Sequence, residues 1–270
     1  MNEVSQLPEP LNGQDAQVTA PDSAFGLTPS ALVEVSALAL RAHRANGPVI
    51  KLMNRLGRSI EDRMGTLPPK VQQVVEFGTA ELLERAYRAA GAVSAHPSVP
   101  DSGDWGHRAA AVAGGALGGF GGLGTALVEL PATVALFFAA MQKAAAEQGF
   151  DPTAEETRLT CLELFGAGGP MRHDDGVNSG FFSVRLAVNG ATVQTLVQQI
   201  APVFAGVLGR KLASQAVPVF GAAAGAGINL AFMSYYQDMA HVRFGLKRLA
   251  DTHGEAEVLA QFRQRVLALR

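Results

Sequence analysis

The sequence is poor in the residues on which several classes of protein depend. One cysteine, Cys161, stands among 270 residues, which excludes an intramolecular disulfide framework and a cysteine-only zinc site. Neither sign of charge is in real excess: 22 Lys and Arg face 24 Asp and Glu, a net charge of −2. That balance carries no electrostatic footprint for nucleic acid. The first residues, MNEVSQLPEPLNGQ, lack the basic start and apolar core of a secretory leader, so a cytoplasmic location is expected. No Gly-x-Ser-x-Gly elbow occurs, which argues against a serine enzyme of the α/β-hydrolase type. No run alternates apolar and polar residues strongly enough to predict a strand.

What is abundant is alanine and glycine within a chain only 17% charged, a composition suited to closely packed helices. Residues 1–27 hold four acidic residues, no Lys or Arg, and Pro8, Pro10 and Pro21. They carry too little apolar surface to offset chain entropy and read as a disordered tail. Thr28 and Pro29 then form a helix start, cap followed by first-turn proline. From Pro48, Val49, Met53, Leu56, Ile60 and Met64 recur at helical spacing, with Lys51, Arg55, Arg58 and Arg63 among the remainder. Such a basic amphipathic helix can lie on an anionic membrane surface or serve as a bundle helix with a solvated face. Residues 67–93 predict another bundle helix, and residues 96–104 a proline-containing linker. Asp151 and Pro152 suggest the start of a helix over 151–165. Residues 166–178 read as a loop and 179–217 as further helices. A long helix from Pro218 and a closing helix from Glu255 complete an all-α, multi-helix bundle with closely packed glycine-rich core helices.

Seven glycines occupy the eleven positions from Gly114 to Gly124. A phosphate-binding loop is excluded by what surrounds them: Thr125 and Ala126 stand where a lysine and a hydroxyl belong, and no strand precedes. On a helical wheel at about 100° per residue, Gly114, Gly115, Gly118, Gly119, Gly121 and Gly122 share one side. Leu117, Phe120, Leu123 and Leu127 share the other. Each internal glycine disfavours a helix by up to about 1 kcal/mol relative to alanine, so this helix needs a neighbour close against its bare face. Gly221, Gly225 and Asn229 recur every four residues in the long helix, with Tyr236 near the same face. Packing between Gly114, Gly118 and Gly122 on one helix and Gly221 and Gly225 on the other is therefore expected. Ala109–Val128 gives twenty uncharged residues, the length of a membrane span. Few of them are strongly apolar, and extending the run places Glu129 and Pro131 near its middle. A buried helix pair is the preferred reading.

The stretches GGALGGFGGLGTALVELP, RLTCLELFGAGG, SGFFSVR and AVPVFGAAAGAGINLAFMSYYQDMAHVRFGLKRLADTHG resemble, in that order, the motifs of the EcsC family. The resemblance runs over roughly residues 40–254 and implies one helical domain over 28–270. The family's namesake is encoded beside a bacterial ABC transporter, which implies an accessory role at a membrane complex and supplies no reaction. Where the family pattern has Arg-Gly-His-Phe, this chain reads His241-Val242-Arg243-Phe244, so His and Arg have exchanged places.

For chemistry, Glu129 falls on the glycine face if its helix continues that far, with Asn229 opposite as a hydrogen-bond partner. Arg185 and Asp238 complete a candidate polar cluster, although Asp238 lies off the glycine face on an ideal wheel. A carboxylate between helices, raised in pKa, would suit acid–base work and a hydrolase. The preferred alternative is a hydrogen-bond network that fixes helix register. His173, Asp174 and Asp175 are adjacent on a loop, and Asp238 and His241 lie three apart on a helix. Neither set has metal-ligand spacing with a second motif, so no metal and no cofactor is expected. Cys161, amid Leu159, Leu162, Leu164 and Phe165, reads as core packing. The expected function is that of a non-catalytic cytoplasmic or peripheral membrane accessory protein, its partner an anionic membrane surface or membrane-protein complex. The alternative is a hydrolase with an interhelical carboxylate site.

Overall fold

The computed structural model describes residues 26–45, 78–88, 103–120, 122–166, 193–215 and 221–269. Among these no strand occurs, and the architecture is an all-α bundle. Its helices are α1 (Pro29–Ala45), α2 (Gly103–Phe120), α3 (Gly122–Glu147), α4 (Glu155–Gly166), α5 (Val193–Gln215), α6 (Gly221–His253) and α7 (Glu255–Ala268), with residues 78–88 also helical. The basic segment with Lys51, Arg55, Arg58 and Arg63, the 96–102 part of the linker, the 167–178 part of the loop and Arg185 lie outside the described residues.

Local chemistry sets the helix ends. Thr28 Oγ1 accepts the backbone N–H of Ala31 at 3.3 Å, ahead of Pro29 at the first helical position. Leu27, just before this cap, is buried in the core, and residues 1–25 of the expected tail lie outside the described residues. Asp151 does not cap α4. Its carboxylate accepts the Thr153 N–H at 2.8 Å and the Thr153 hydroxyl at 2.7 Å, a local turn that holds the chain out of helix until Glu155. These two bonds also hold the Asp151 carboxyl below its ordinary pKa. Gly254, with φ +88°, separates α6 from α7 in a conformation that a side chain would oppose.

The glycine run is two helices rather than one. α2 ends at Phe120 and α3 begins at Gly122, so the single wheel joining Gly114 to Glu129 does not apply. The physical reason is the low helix propensity of so dense a glycine run, which gives the chain little to lose by stopping. α2 and α3 pack on each other and both pack on α6. α3 passes through Pro131, which is exposed and offers no N–H to the preceding turn. No helix among the described residues is long and apolar enough to cross a membrane.

α6 is the axis of the bundle and is in contact with α1, α2, α3, α4, α5 and α7. Pairings along it give direction. Arg108, Ala111 and Gly115 of α2 meet Gln237, Asn229 and Gly225, so α2 is antiparallel to α6. Arg41, Leu38 and Glu34 of α1 meet Asp238, Gly245 and Arg248, which makes α1 antiparallel too. α4 follows the same sense through Glu163 to Arg243 and Glu156 to Lys247. α3 runs parallel, with Phe137 beside Phe232 and Glu147 beside His241. An aromatic core of Phe137, Phe138, Phe165, Phe204, Phe232 and Tyr236 fills the space between these helices. Tyr236 is fully buried there, against Phe137 and Phe165, rather than at the glycine contact.

Candidate functional site

α2 and α6 cross backbone to backbone at Gly115 and Gly225. A Cβ built on Gly115 would fall inside contact distance of the Gly225 carbonyl oxygen. It would lie 2.7 Å from the carbonyl carbon and 2.8 Å from Asn229 Nδ2. Gly225 and Asn229 thus meet the glycine run at Gly115, while Gly114, its neighbour, is half-exposed. Gly118 lies in α2, Gly122 and Glu129 in α3 and Gly221 in α6; their surroundings lie outside the described set. Asn229, fully buried, donates from Nδ2 to the Ala111 carbonyl at 3.1 Å. The amide bridges the helices one turn from the glycine contact and fixes their register. Asn229→Ala removes a buried donor from that carbonyl and should lower stability by about 1–3 kcal/mol. Denaturant unfolding reads this directly, and a loss below a few tenths would remove the register argument.

Asp238 belongs to a separate group. Nine residues, or about 13 Å of helix axis, part it from Asn229, so the two do not form one cluster. Its carboxylate accepts Arg41 Nε at 2.9 Å and faces the Arg108 guanidinium at 4.0 Å. Arg108 Nε also donates to Gln237 Oε1 at 2.9 Å. Two arginines, one from α1 and one from α2, therefore clamp a single aspartate of α6 at the rim of the bundle. With both arginine side chains about one-third exposed, solvent screening keeps this pair modest in energy.

Further along α6 the charges are buried. Met239–Lys247 is an unbroken buried stretch containing His241, Arg243 and Lys247. Each meets a carboxylate from another helix. Arg243 donates to Glu163 Oε2 at 3.0 Å, Lys247 pairs with Glu156, and His241 Nε2 lies 3.6 Å from Glu147. Desolvation raises the Glu163 carboxyl above its ordinary value, with the facing Arg243 opposing the rise. Burial also lowers the Arg243 guanidinium, opposed by Glu163 and Glu255. Glu163 comes from the Cys-Leu-Glu stretch and Arg243 from His-Val-Arg-Phe. Two separated sequence motifs thus meet as one ion pair.

Sequence reasoning passed over Arg41, Arg108, Glu163, Arg243 and Lys247 as partners. A signal existed: two cations at i, i+4 on α6, and two acids seven apart on α4. Cys161 of α4 is completely buried, and desolvation drives its thiol far above the range in which a thiolate forms. Arg158 lies over the Tyr87 ring at 3.9 Å and donates to the Tyr87 carbonyl, which ties residues 78–88 to α4. Burial raises the Tyr87 hydroxyl, partly offset by Arg158.

Chemically, these polar groups bind helices to one another. Asp238 faces two arginines through Oδ1, and Glu163 faces Arg243 through Oε2, contacts that tie helices together. No group of three metal-ligating side chains occurs among the described residues, and His173, Asp174 and Asp175 lie outside them. A small recess between α3, α5 and α6 is lined, among the described residues, by Leu130, Thr133, Phe137, Phe204, Leu208 and Phe232, none of them a carboxylate. Comparison with known proteins places residues 45–249 in register with the model of the EcsC protein family. No curated protein and no solved structure matches the chain.

Proposed function

The chain belongs to the EcsC protein family, and on that premise we propose that it acts without catalysis as a bacterial accessory protein. In this reading it resides in the cytoplasm and attaches at the inner face of the cell membrane, to anionic lipid or to a membrane complex of the ABC-transporter class. It needs no cofactor, metal or nucleic acid. The observation that carries the reading is the engagement of the described interhelical carboxylates. Glu163 is held by Arg243, and Asp238 by Arg41 and Arg108, which builds scaffold where a hydrolase would need water and substrate.

Attachment is assigned to the basic amphipathic sequence from Pro48 to Met64. Near an anionic surface each of Lys51, Arg55, Arg58 and Arg63 contributes roughly 1 kcal/mol, screened over a Debye length of about 8–10 Å. In cell fractionation the protein is expected with the membranes at low salt and in the wash at high salt. Arg55→Glu with Arg58→Glu should return it to the soluble fraction. Recovery only in detergent would overturn peripheral attachment. Hydrolysis by the purified protein that Asp238→Asn abolishes would overturn the non-catalytic reading.

A further inference from the structure

The outward face of α1 is apolar without serving the core. Its inward positions, Ala31, Val35, Leu38, Ala39, Ala42 and Ala45, are buried as a bundle helix requires. Yet Val33, Ala37 and Leu40, at i, i+4 and i+7, form a second stripe that faces solvent. Val33 is 72% exposed and Leu40 37%. Among the described residues the remaining exposed large hydrophobic is Leu267, at 62%, on α7, and α7 packs on α1. All three therefore lie on one pair of touching helices.

The charges beside the stripe have one dominant sign. Exposed Arg44 continues it at i+11, with His43 half-exposed beside it. Exposed Arg263 and Arg265 precede Leu267. The one acidic residue of α1, Glu34, is held by Arg248 of α6. On α7 the acids Glu255 and Glu257 sit in the first turn, away from Leu267. An apolar stripe that ends in guanidinium groups matches a bilayer surface of anionic lipid, where aliphatic side chains reach the acyl boundary and arginines meet phosphates. A second copy of the chain is a poorer match. A few aliphatic side chains cover far less than the roughly 800 Å² per partner of a stable interface.

We infer that the outward face of α1, Val33, Ala37 and Leu40 with Arg44, seats on an anionic bilayer surface. This rests on the reading of the chain as a membrane-peripheral protein and names a second contact for it. α1 ends at Ala45, three residues before Pro48 opens the basic amphipathic sequence.

The test uses the full chain with Val33→Cys labelled by an environment-sensitive fluorophore. Cys161 is fully buried, so labelling of the folded protein is confined to position 33. Vesicles of phosphatidylcholine with phosphatidylserine are expected to shift the dye emission to the blue, and phosphatidylcholine alone to leave it unchanged. Val33→Ser with Leu40→Ser should weaken partition into the anionic vesicles by about tenfold at an unchanged melting temperature. Co-sedimentation of labelled protein without a spectral shift would overturn this inference and leave attachment through residues 48–64 standing. Failure to co-sediment at low salt would overturn both. A blue shift without vesicles that grows with protein concentration would assign the face to a second copy of the chain and overturn the bilayer.

Discussion

Gly115→Ala is expected to destabilise the fold by about 3 kcal/mol, at the upper end of what overpacking in a closed core usually does. By helix propensity alone the change should stabilise α2 by up to about 1 kcal/mol, so the sign of the effect decides between local and tertiary control. The added methyl meets the Gly225 carbonyl, a backbone group, and the Asn229 amide that bridges to Ala111. Neither can rotate away without parting the helices, and parting them breaks the Asn229 bond as well. Gly245→Ala provides the comparison within the same helix bundle. Its methyl would lie 2.9 Å and 3.0 Å from the two Cδ atoms of Leu38, the far end of a side chain that can change rotamer. That variant should lose clearly less stability than Gly115→Ala. Equal losses from the two, or a gain for Gly115→Ala, would show that α2 and α6 are not held at their closest approach by glycine.

That a helix of the glycine run would lie close against Gly225 was legible, since a bare face is tolerable only against another backbone, but the contact is made by Gly115 where Gly114 was expected. The cap at Thr28 and Pro29 was legible for a similar reason, since both residues act within one turn. Asp151 misled because the same side chain that caps a helix also closes a local turn, and the choice depends on where Thr153 points. The division of the run at Phe120 and Gly122 was hidden by the assumption of one straight wheel. Glycine density argues for a helix that stops as readily as for one that packs. Asn229 was expected to face Glu129, whose surroundings lie outside the described residues, and its reach to Ala111 depended on the depth of the crossing. The ion pairs of α6 were the largest omission. Glu163 and Arg243 are eighty residues apart, and periodicity within either helix says nothing about which face meets which. Charge placement on α6 and α4 did hold the information, as two cations four apart on one helix and two acids seven apart on the other.

Arg243→Met tests that omitted pair and should be among the most damaging single changes in the protein. Arg243 and Glu163 have side chains only 3% and 16% exposed, so removing the guanidinium leaves a carboxylate in a desolvated place. Breaking a buried pair in this way costs about 3–5 kcal/mol. The loss should depend on pH, and its sign follows from Glu163. Burial already raises this carboxyl above its unfolded value, so between those two values the native state holds a proton that the unfolded chain has released. This group's contribution is therefore fully present below the ordinary glutamate range. It falls as pH rises through the raised native value and is constant beyond it. Without Arg243 the native value rises further and the window widens upward. Arg243→Met should then be much less destabilised at mildly acid pH than at pH 8, where the wild type keeps its ion pair. Adding Glu163→Met removes the stranded carboxylate, and the double variant should regain most of the lost stability, with this pH dependence gone. Urea unfolding of the wild type, both single variants and the double variant at the two pH values completes the cycle. A loss below about 1 kcal/mol for Arg243→Met at pH 8, or no recovery in the double variant, would mean that the pair decorates α6 rather than fastening α4 to it.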